Sequence, residues 1–532
     1  MFIKKWVKIS AVLLAVMVIT STVFAASLNN SWPSAGQNLS NTRYQDDTSI
    51  KLKNVANLNV KWQFQTAGDV SATASVDDNV VYFPDWGGYM NAVNKNTGVL
   101  VWKHKVSDYT GYVANPAYGI TDDIARDTPA IDAKGKQIIF GDQAGYHGGQ
   151  LGYVMAVDSK TGDLNWKTQV GSVFTIVTQS PVVDDTTVYV GVASAEEAYA
   201  GLIPNYPCCS FRAAMYALDT KTGAIKWQTY TVPSGYSGGS IWGSTPVVDK
   251  KRNSLYITTG NNYSVPAAVQ TCILAAGSDN NAVKACISPD DHFDSIIALN
   301  LATGAVKWAF TAISSDGWNV SCFPGLLPPG VVINPQNCPA AAGPDYDFGQ
   351  GVMLYNVNGQ DYVGAGQKSG QFWSLNADTG AVSWMAQAAP GGIGGGLQWG
   401  SSTDGKNIYF ASANTLHKDT TLINGQHINY GFWGALDAAT GTVVWQTPDP
   451  QQKGDSGPVA SIKGVVFACS MDPAGNMYAL DSSNGHVLWS FPSGGSCLSG
   501  AAIVGGTVYW GSGYANFGAG TPNNKFYAFD TK

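Results

Sequence analysis

The sequence predicts an all-β fold, an eight-bladed β-propeller closed by pairing of its N- and C-terminal strands. One phrase recurs: an apolar strand, a turn of Asp or Asn, Thr and Gly, and a second strand ending in Trp. An eighth copy, YAFDTK, stops at Lys532, and NLNVKWQF around Trp62 supplies a strand that lacks a partner. We therefore expect the two termini to build one blade together. The seven complete copies end at Trp102, Trp166, Trp227, Trp308, Trp384, Trp445 and Trp489.

Each phrase is typical of a β-hairpin, because two alternating apolar strands flank a short polar turn. Further β-rich runs, such as SPVVDDTTVYVGV and STPVVDKKRNSLYITTG, separate the phrases and indicate four strands per repeat. A single sheet of this kind cannot bury both of its faces, so the repeats must stack as blades. We assign the Trp and Gly of each phrase to packing between blades. The 61 glycines and 13% charged residues agree with one large, turn-rich β domain.

The first residues predict export. Lys4, Lys5 and Lys8 precede the apolar run ISAVLLAVMVITSTVFA, which is typical of a secretory signal cleaved after Ala25. We expect residues 1–25 to be a signal peptide and residues 26–532 to form one propeller domain, either periplasmic or secreted. An uncleaved anchor is the alternative. The rest of the sequence contains no apolar run long enough to predict a membrane span in the mature protein.

Composition and short motifs argue against several functions. The formal net charge is −7 and no Lys/Arg run of the kind that tracks phosphates occurs, so nucleic acid is not an expected partner. No CxxCH is present, which argues against covalent haem, and the six histidines lack metal-ligand spacing. The GxSxG match GYSGG at 235–239 lies in a Gly/Ser loop without a following helix pattern, so we interpret it as a turn.

Eight cysteines in an exported chain favour disulfides, and their order suggests local pairs, although sequence alone does not prove the connectivity. Two of the pairs fall in the long loops 261–293 and 317–349, which we expect to roof a central pocket on one rim of the propeller. The expected pairs are Cys208 with Cys209, Cys272 with Cys286, Cys322 with Cys338, and Cys469 with Cys497.

Several motifs outside the repeat resemble those of the PQQ-dependent quinoprotein alcohol dehydrogenases. They are WPSAGQNLSNTRYQ, TTGNNYSVP, PDYDFG, GQKSG and the ending VYWGSGYANFGAGTPNNKFYAFD, and with the repeats they extend over the whole predicted mature chain. The resemblance is greatest to the polyvinyl-alcohol dehydrogenase branch. It implies an enzyme that oxidises an alcohol with bound PQQ and a metal ion.

In this family PQQ lies between a Trp and a vicinal disulfide. The resemblance assigns these positions to Trp242 and to the pair Cys208–Cys209, whose ring would form a flat apolar lid over the cofactor. In methanol-oxidising relatives the pair lies earlier, just before the position of Arg126, so its place over the cofactor is carried over from the branch alone.

The resemblance also implies a metal site and a catalytic base. Glu196, with Glu197 as an alternative, and Asn261 match the metal ligands, and oxygen ligands suit calcium. Asp345 matches both the base and a ligand. A competing alignment places Asn319 there, but an amide cannot accept the proton. Asp347 completes a DYD motif that resembles lanthanide-using relatives, so Ca²⁺ or a lanthanide ion stays open.

Four further positions match contacts to PQQ: Arg126 to a carboxylate, Lys368 to the quinone oxygens, Thr178 as a hydroxyl donor and Gln398 as an amide. Each of these residues also has an ordinary surface or turn interpretation. Ser71 stands where many relatives carry Glu, which puts one cofactor contact in doubt.

The resemblance implies hydride transfer from the alcohol to PQQ, with the metal as Lewis acid and Asp345 removing the hydroxyl proton. Since the chain has no haem motif, we expect a separate periplasmic cytochrome c or a quinone as electron acceptor. The substrate is a small-molecule or polymeric alcohol, and a sugar or aldehyde substrate is a rival. The other alternative is a non-enzymatic envelope scaffold or assembly propeller, which shares the repeat.

Overall fold

The computed structural model describes residues 31–46, 48–114, 121–148, 150–243, 245–323, 332–516 and 519–532. Seven four-stranded antiparallel sheets and one five-stranded sheet, in which Tyr44–Gln45 adds a parallel strand to the seventh blade, confirm the predicted all-β, eight-bladed propeller. The predicted signal peptide, residues 1–25, lies outside the described residues. Among these residues no helix combines the length and the apolar character needed to cross a membrane.

The blades are numbered along the chain, and each begins with the strand at the buried inner edge. Blade 1 consists of Ser75–Val76, Val80–Pro84, Tyr89–Asn94 and Leu100–Lys105, and blade 2 of Ala130–Asp132, Gln137–Gly141, Leu151–Asp158 and Leu164–Val173. Blade 3 consists of Val182–Asp184, Thr187–Gly191, Ala214–Asp219 and Ile225–Tyr230, and blade 4 of Val247–Asp249, Ser254–Thr258, Ser295–Asn300 and Val306–Thr311. Blade 5 consists of Met353–Val357, Gln360–Gly366, Gln371–Asn376 and Val382–Gln387, and blade 6 of Ser402–Thr403, Asn407–Ser412, Phe432–Asp437 and Val443–Pro448. Blade 7 consists of Ala460–Ile462, Val465–Cys469, Asn476–Asp481 and Val487–Pro492, and blade 8 of Ala502–Val504, Thr507–Gly511, Lys525–Asp530 and Asn59–Gln65.

The two termini close the ring as the sequence predicts. Strand Asn59–Gln65 pairs antiparallel with Lys525–Asp530, and Trp62 lies opposite Ala528. Phe83 of blade 1 stacks on Phe526 of blade 8 with ring centroids 4.0 Å apart. The closing blade is therefore held both by backbone pairing and by aromatic packing across the closing interface.

Helices and short strands decorate the connections between blades. The α-helices are α1 (Val106–Thr110), α2 (Glu196–Leu202), α3 (Ala267–Ala276) and α4 (Asn280–Cys286). Single 3₁₀ turns span Val55–Asn57, Ala144–Tyr146, Val320–Cys322 and Pro335–Asn337. The remaining short strands are Tyr44–Gln45, Thr175–Ile176, Ala193–Ser194, Ser237–Gly238, Asn262–Ser264, Thr420–Thr421 and His427–Ile428.

The repeated Trp and Gly residues pack neighbouring blades, which confirms their predicted structural role. The indole N–H of Trp166 donates to the carbonyl of Thr220 in the next blade at 2.7 Å. Gly223 lies flat on the same indole, since a Cβ there would meet Trp166 Cε3 at 2.6 Å. Trp227 repeats the arrangement, donating to the carbonyl of Leu301 at 2.9 Å. Each repeat therefore buries its tryptophan against the turn of the following repeat.

An N-terminal segment, residues 32–45, runs around the axis and contacts one blade after another; we call it the inner segment. Backbone bonds join it to the inner strand of blades 1, 2, 4, 5, 6 and 7, and the side chain of Gln45 donates to blade 8. The inner segment thus links seven blades across the axis. Its backbone partners are Val76, Ile131, Val248, Leu354, Thr403 and Ser461.

Candidate active site

A buried lysine lies between two carboxylates at the centre of the candidate site. Nζ of Lys368 is 2.9 Å from Oδ1 of Asp345 and 2.9 Å from Oδ2 of Asp347. Burial alone would lower the pKa of Lys368, but the carboxylates of Asp345, Asp347 and Glu197 raise it above its usual value. The lysine is therefore held as a cation among acidic groups.

Asp347 is fixed by three donors. Oδ2 also accepts from the indole N–H of Trp242 at 2.9 Å, and Oδ1 accepts from the backbone N–H of Asn261 at 2.7 Å. Gly260 makes this approach possible, because a Cβ there would lie 2.7 Å from Oδ1 of Asp347. Lys368, Trp242 and Asn261, predicted from separate motifs, thus converge on one carboxylate.

Asp345 is held in place by a second aspartate. Its backbone is left-handed, with φ 60°, a conformation that Asp tolerates better than most residues. The backbone N–H groups of Asp345 and Tyr346 donate to the carboxylate of Asp316 at 3.0 and 2.6 Å. Burial, and the neighbouring Asp347 and Glu197, raise the pKa of Asp345 well above its ordinary value, while Lys368 opposes this shift.

The two glutamates at the start of α2 lie in different surroundings. Glu196 does not join the acidic cluster: its carboxylate accepts from the backbone N–H of Ser210 and of Phe211, and from the hydroxyl of Tyr206. Glu197 faces the cluster instead. Burial first and the charge of Asp347 second raise the pKa of Glu197 to about 8.

Asn261 and Asn319 have different hydrogen-bond partners. The amide N–H₂ of Asn261 donates to the carbonyls of Asn262 and Trp318, which fixes the orientation of this side chain. Asn319, the competing base position, donates to the carbonyls of Tyr263 and Asn337 and accepts from the N–H of Ser321. Asn319 therefore supports the loop, whereas Asp345 lies within the acidic cluster.

All four predicted disulfides are present, joining Cys208 to Cys209, Cys272 to Cys286, Cys322 to Cys338 and Cys469 to Cys497. The peptide bond between Cys208 and Cys209 is cis. Glu196 holds the residues on either side of this pair, and Sγ of Cys208 lies 3.8 Å from the side-chain amide of Asn319. The vicinal disulfide is therefore anchored beside the loop that carries Asn319.

The remaining predicted cofactor contacts lie on the axial side. Arg126 lies with its guanidinium 5.3 Å from the ring of Trp86 and 5.2 Å from that of Trp399, and it lines a cavity with Thr178. Trp399 in turn meets Trp242 edge-on, with ring centroids 5.3 Å apart. Trp399 thus connects the Arg126 side with the acidic cluster.

Gln398 and Ser71 lie at the margins of this arrangement. The amide N–H₂ of Gln398 donates to the carbonyl of Gly395 at 3.1 Å. Both Gln398 and Trp242 lie against Gly349, where a Cβ would be 3.4 Å from Cγ of Gln398 and 2.9 Å from Trp242. Ser71 accepts from the indole N–H of Trp86 at 2.8 Å, so it is a neighbour of Arg126.

The acidic groups do not form a closed metal cage as they stand. In the part of the chain that the structure describes, no three His, Cys, Asp or Glu side chains converge closely enough to bind a metal ion. Lys368 lies between Asp345 and Asp347 instead. Their oxygen atoms are nevertheless the kind of ligand that a hard cation prefers.

Sequence reasoning missed some members of the site. Asp316 accepts a hydrogen bond from the backbone of Asp345. Trp399 lies next to both Arg126 and Trp242. One signal could have found Trp399: like Trp242, it lies outside the repeated phrases. Asp316 had no such signal, because its role depends on a backbone contact across the loop.

An eight-bladed propeller with a buried lysine between two aspartates is the architecture to compare with known proteins. The chain belongs to the PQQ_2 family, whose model carries the description outer membrane protein assembly factor BamB and matches residues 20–229, 148–310 and 433–532. The matches overlap because the repeats resemble one another.

Similar proteins point to dehydrogenases. A polyvinylalcohol dehydrogenase from Pseudomonas sp is 28% identical over 532 residues, covering 92% of this chain and 74% of the relative. The quinohemoprotein alcohol dehydrogenase of Comamonas testosteroni shares the fold with a TM-score of 0.67 at 18% identity, covering 94% of this chain and 80% of the other. A europium-containing methanol dehydrogenase gives a TM-score of 0.66 at 16% identity, covering 94% and 98%. The predicted resemblance is confirmed, and these relatives are named as dehydrogenases.

Proposed function

We propose that this protein oxidises an alcohol to an aldehyde or ketone, using bound PQQ and a metal ion. The observation that carries the proposal is the pair of hydrogen bonds from Lys368 to Asp345 and Asp347, with Trp242 donating to the same Asp347. This cluster brings a proton acceptor, a fixed cation and an aromatic face into one buried place, which is what the chemistry of a quinone cofactor requires.

The proposed metal ligands are Glu197, Asn261, Asp345 and Asp347, with Glu197 replacing Glu196. Glu196 is committed to the loop that carries the vicinal disulfide, whereas Glu197 faces Asp347 and Lys368. These are oxygen donors, and a single lysine does not balance three carboxylates. Oxygen ligands suit Ca²⁺ and, with the additional carboxylate of Asp347, a trivalent lanthanide ion, and the carboxylates would have to converge around either ion.

The proposed cofactor contacts are those that the resemblance implies. Trp242 presents an indole whose N–H is already fixed by Asp347, and Lys368 lies 5.3 Å from its ring. The anchored Cys208–Cys209 ring is the proposed opposite face. Arg126, Thr178 and Gln398 are the proposed polar contacts to the edge of the cofactor, because a guanidinium and a hydroxyl suit its carboxylates.

The residues of this chain have separable roles in the reaction. When bound, PQQ supplies an electron-accepting quinone and the metal ion supplies Lewis acidity. Asp345 accepts the hydroxyl proton of the alcohol. Since burial favours the protonated form of Asp345, the positive charge of Lys368 is needed to favour the ionised form. Asp316 positions Asp345 through its backbone, and the surrounding burial excludes water.

The electron acceptor and the cellular location are proposed from the sequence. Because no CxxCH occurs, we infer that a separate cytochrome c or a quinone accepts the electrons. With residues 1–25 as the predicted signal peptide, the proposed location is the periplasm or the outside of the cell. The name of the polyvinylalcohol dehydrogenase relative makes a polymeric alcohol one substrate to test beside small primary and secondary alcohols.

The second candidate function is a non-enzymatic envelope scaffold, and the description of the family model favours it. A scaffold that binds partners through its loops has no need of a buried lysine between two aspartates. The unmatched interior charge of such a cluster costs stability, so its presence favours the enzyme.

The proposal is tested by reconstituting purified protein with PQQ, in parallel with Ca²⁺ and with La³⁺, and following alcohol-dependent reduction of an artificial dye. We expect activity with one of the metals and a loss of at least about 10²-fold in Asp345→Asn, because an amide cannot serve as the base. Asp78→Asn, at an exposed position in blade 1, is the matched control. A protein that binds no PQQ with either metal would be the scaffold instead.

A further inference from the structure

A buried arginine in the inner segment lines the axial cavity and has no counter-ion among the residues that the structure describes. Arg43 is 2% exposed, and neither Nε nor Nη1 of its guanidinium has a hydrogen-bond partner. Its Nη2 lies 3.4 Å from the carbonyl oxygen of Trp399, a long contact. Burial alone lowers the pKa of Arg43 to about 10, without any contribution from a nearby carboxylate, so the group stays charged at neutral pH.

The cavity that Arg43 lines is on the propeller axis. Residues from blades 1, 2, 3, 6, 7 and 8, or from the loops that lead into them, surround it, and the inner segment supplies Arg43 and Ala35. Arg126 is the second guanidinium in the lining. No carboxylate is among the described lining residues. Five of them carry a hydroxyl group: Ser71, Thr73, Thr128, Thr178 and Ser180.

Two glycines keep room for the guanidinium. A Cβ at Gly400 would lie 2.5 Å from Nε of Arg43, and one at Gly500 would lie 2.3 Å from Oγ1 of Thr73 and 3.4 Å from Nη1 of Arg43. The backbone oxygen of Arg43 is meanwhile fixed by the N–H of Ser461 at 2.9 Å. The guanidinium is thus closely packed by these two glycines, and the same side chain lines the cavity.

We propose that Arg43 and Arg126 bind one anionic oxygen group in this cavity, a carboxylate or a small inorganic oxyanion. An uncompensated buried cation is costly, and an oxyanion in the cavity would supply the negative charge that the guanidinium of Arg43 lacks. The cavity volume of about 40 Å³ is room for a few water molecules, so it suits one such group and not a whole cofactor. The inference rests on the proposed function only if the bound anionic group is a carboxylate of PQQ.

The anion has two possible sources, a carboxylate of PQQ bound above the cavity or a free anion such as formate or nitrate. The first test uses cofactor-free protein and follows thermal unfolding during titration with sodium formate and sodium nitrate at constant ionic strength, with a large organic sulfonate as the balancing salt. We expect a saturable rise in Tm for the wild type and none for Arg43→Met. Arg212→Met is the matched control, because Arg212 donates to the carbonyl of Val232 away from the cavity and should keep the rise.

The second test measures the Kd of PQQ by fluorescence quenching, with and without formate. If a PQQ carboxylate fills the cavity, formate competes with PQQ, and Arg43→Met weakens PQQ binding by roughly tenfold or more. If a free anion fills it, formate and PQQ bind together, and Arg43→Met leaves the Kd of PQQ unchanged. Arg43→Lys keeps the charge and serves as the second variant should Arg43→Met fail to fold.

The outcomes separate this inference from the proposed function. A wild-type protein that responds to formate but does not bind PQQ would keep the anion site and remove the dehydrogenase. Equal Tm responses of the wild type and both Arg43 variants, with an unchanged Kd of PQQ, would overturn the anion site.

Discussion

The ammonium nitrogen of Lys368 lies 2.9 Å from Oδ1 of Asp345, and both side chains are buried. The same nitrogen contacts Asp347, so one cation serves two aspartates. Burial and neighbouring carboxylates drive Asp345 toward its protonated form, and Lys368 is the group that opposes them. The ion pair therefore holds the site together and also controls the charge of the proposed base.

Replacing Lys368 by Met should destabilise the metal-free protein. The variant leaves two buried carboxylates without their cation, and breaking a buried pair in this way typically costs about 3 kcal/mol. Added Ca²⁺ or La³⁺ should restore part of the loss, because the metal ion would neutralise the same groups. Thermal unfolding with and without metal checks this, and Lys406→Met, at an exposed position in blade 6, is the control. An unchanged Tm without metal would mean that the ion pair contributes no net stability.

Changing Glu196 to Gln should mainly lower stability, whereas changing Glu197 to Gln should mainly weaken metal binding. Glu196→Gln should lower stability by about 2 kcal/mol and weaken PQQ binding, because an amide cannot accept all the bonds that hold Ser210, Phe211 and Tyr206. Glu197→Gln should instead weaken metal binding by at least about tenfold, since a ligand charge is lost. Terbium luminescence titrations and thermal unfolding of the two variants measure both effects. Loss of terbium binding in Glu196→Gln at an unchanged Tm would return the ligand role to Glu196.

The inner segment should be sensitive to added volume. Gly36→Ala would place a Cβ 2.1 Å from Oδ1 of Asn41, whose amide donates to the carbonyl of Val352 at 2.6 Å. We expect a loss of about 2 kcal/mol, typical of overpacking in a filled interior. Gly317→Ala is the matched control, because a Cβ there would meet its neighbours at 3.5 Å, an ordinary contact. Equal urea midpoints for the two variants would contradict a tightly fitted inner segment.

The fold was predictable because its signal is repeated. Trp166 and Gly223 each belong to a periodic phrase, so every copy supports the assignment of the others, and the lone strand around Trp62 identifies how the ring closes. The inner segment carries no such period. Its partners are single residues in seven blades, hundreds of positions apart, so neither its path nor the place of Arg43 could be seen in the sequence.

The site was predictable only as far as its motifs extend. Asp345, Lys368 and Trp242 interrupt the repeat, which identifies them as candidates. Glu196 and Glu197 are consecutive on α2, where successive side chains point about 100° apart, so packing alone decides which one faces the cluster. Asp316 acts through backbone N–H groups of Asp345 and Tyr346, and a contact of this kind leaves no pattern in the side chains.

Buried acids should make the metal-free protein lose stability as the pH rises. Asp291, 4% exposed, accepts from the side chain of Asn262, yet burial raises its pKa from 3.8 to about 7. The folded protein therefore keeps a proton that the unfolded chain releases above about pH 4. The stabilising effect of this proton is full below about pH 4, declines as the pH rises toward 7, and is absent above that range.

Asp291→Asn should remove this contribution, since an amide does not titrate while its oxygen still accepts from Asn262. Between pH 5 and 7 we expect the free energy of unfolding to fall less steeply than in the wild type, by up to about 1.4 kcal/mol per pH unit for one proton. At pH 8 the variant should be the more stable protein. Urea unfolding at pH 5, 6, 7 and 8 measures this, with Asp78→Asn expected to follow the wild type. Parallel curves for Asp291→Asn and the wild type would show that Asp291 is already ionised in the folded protein.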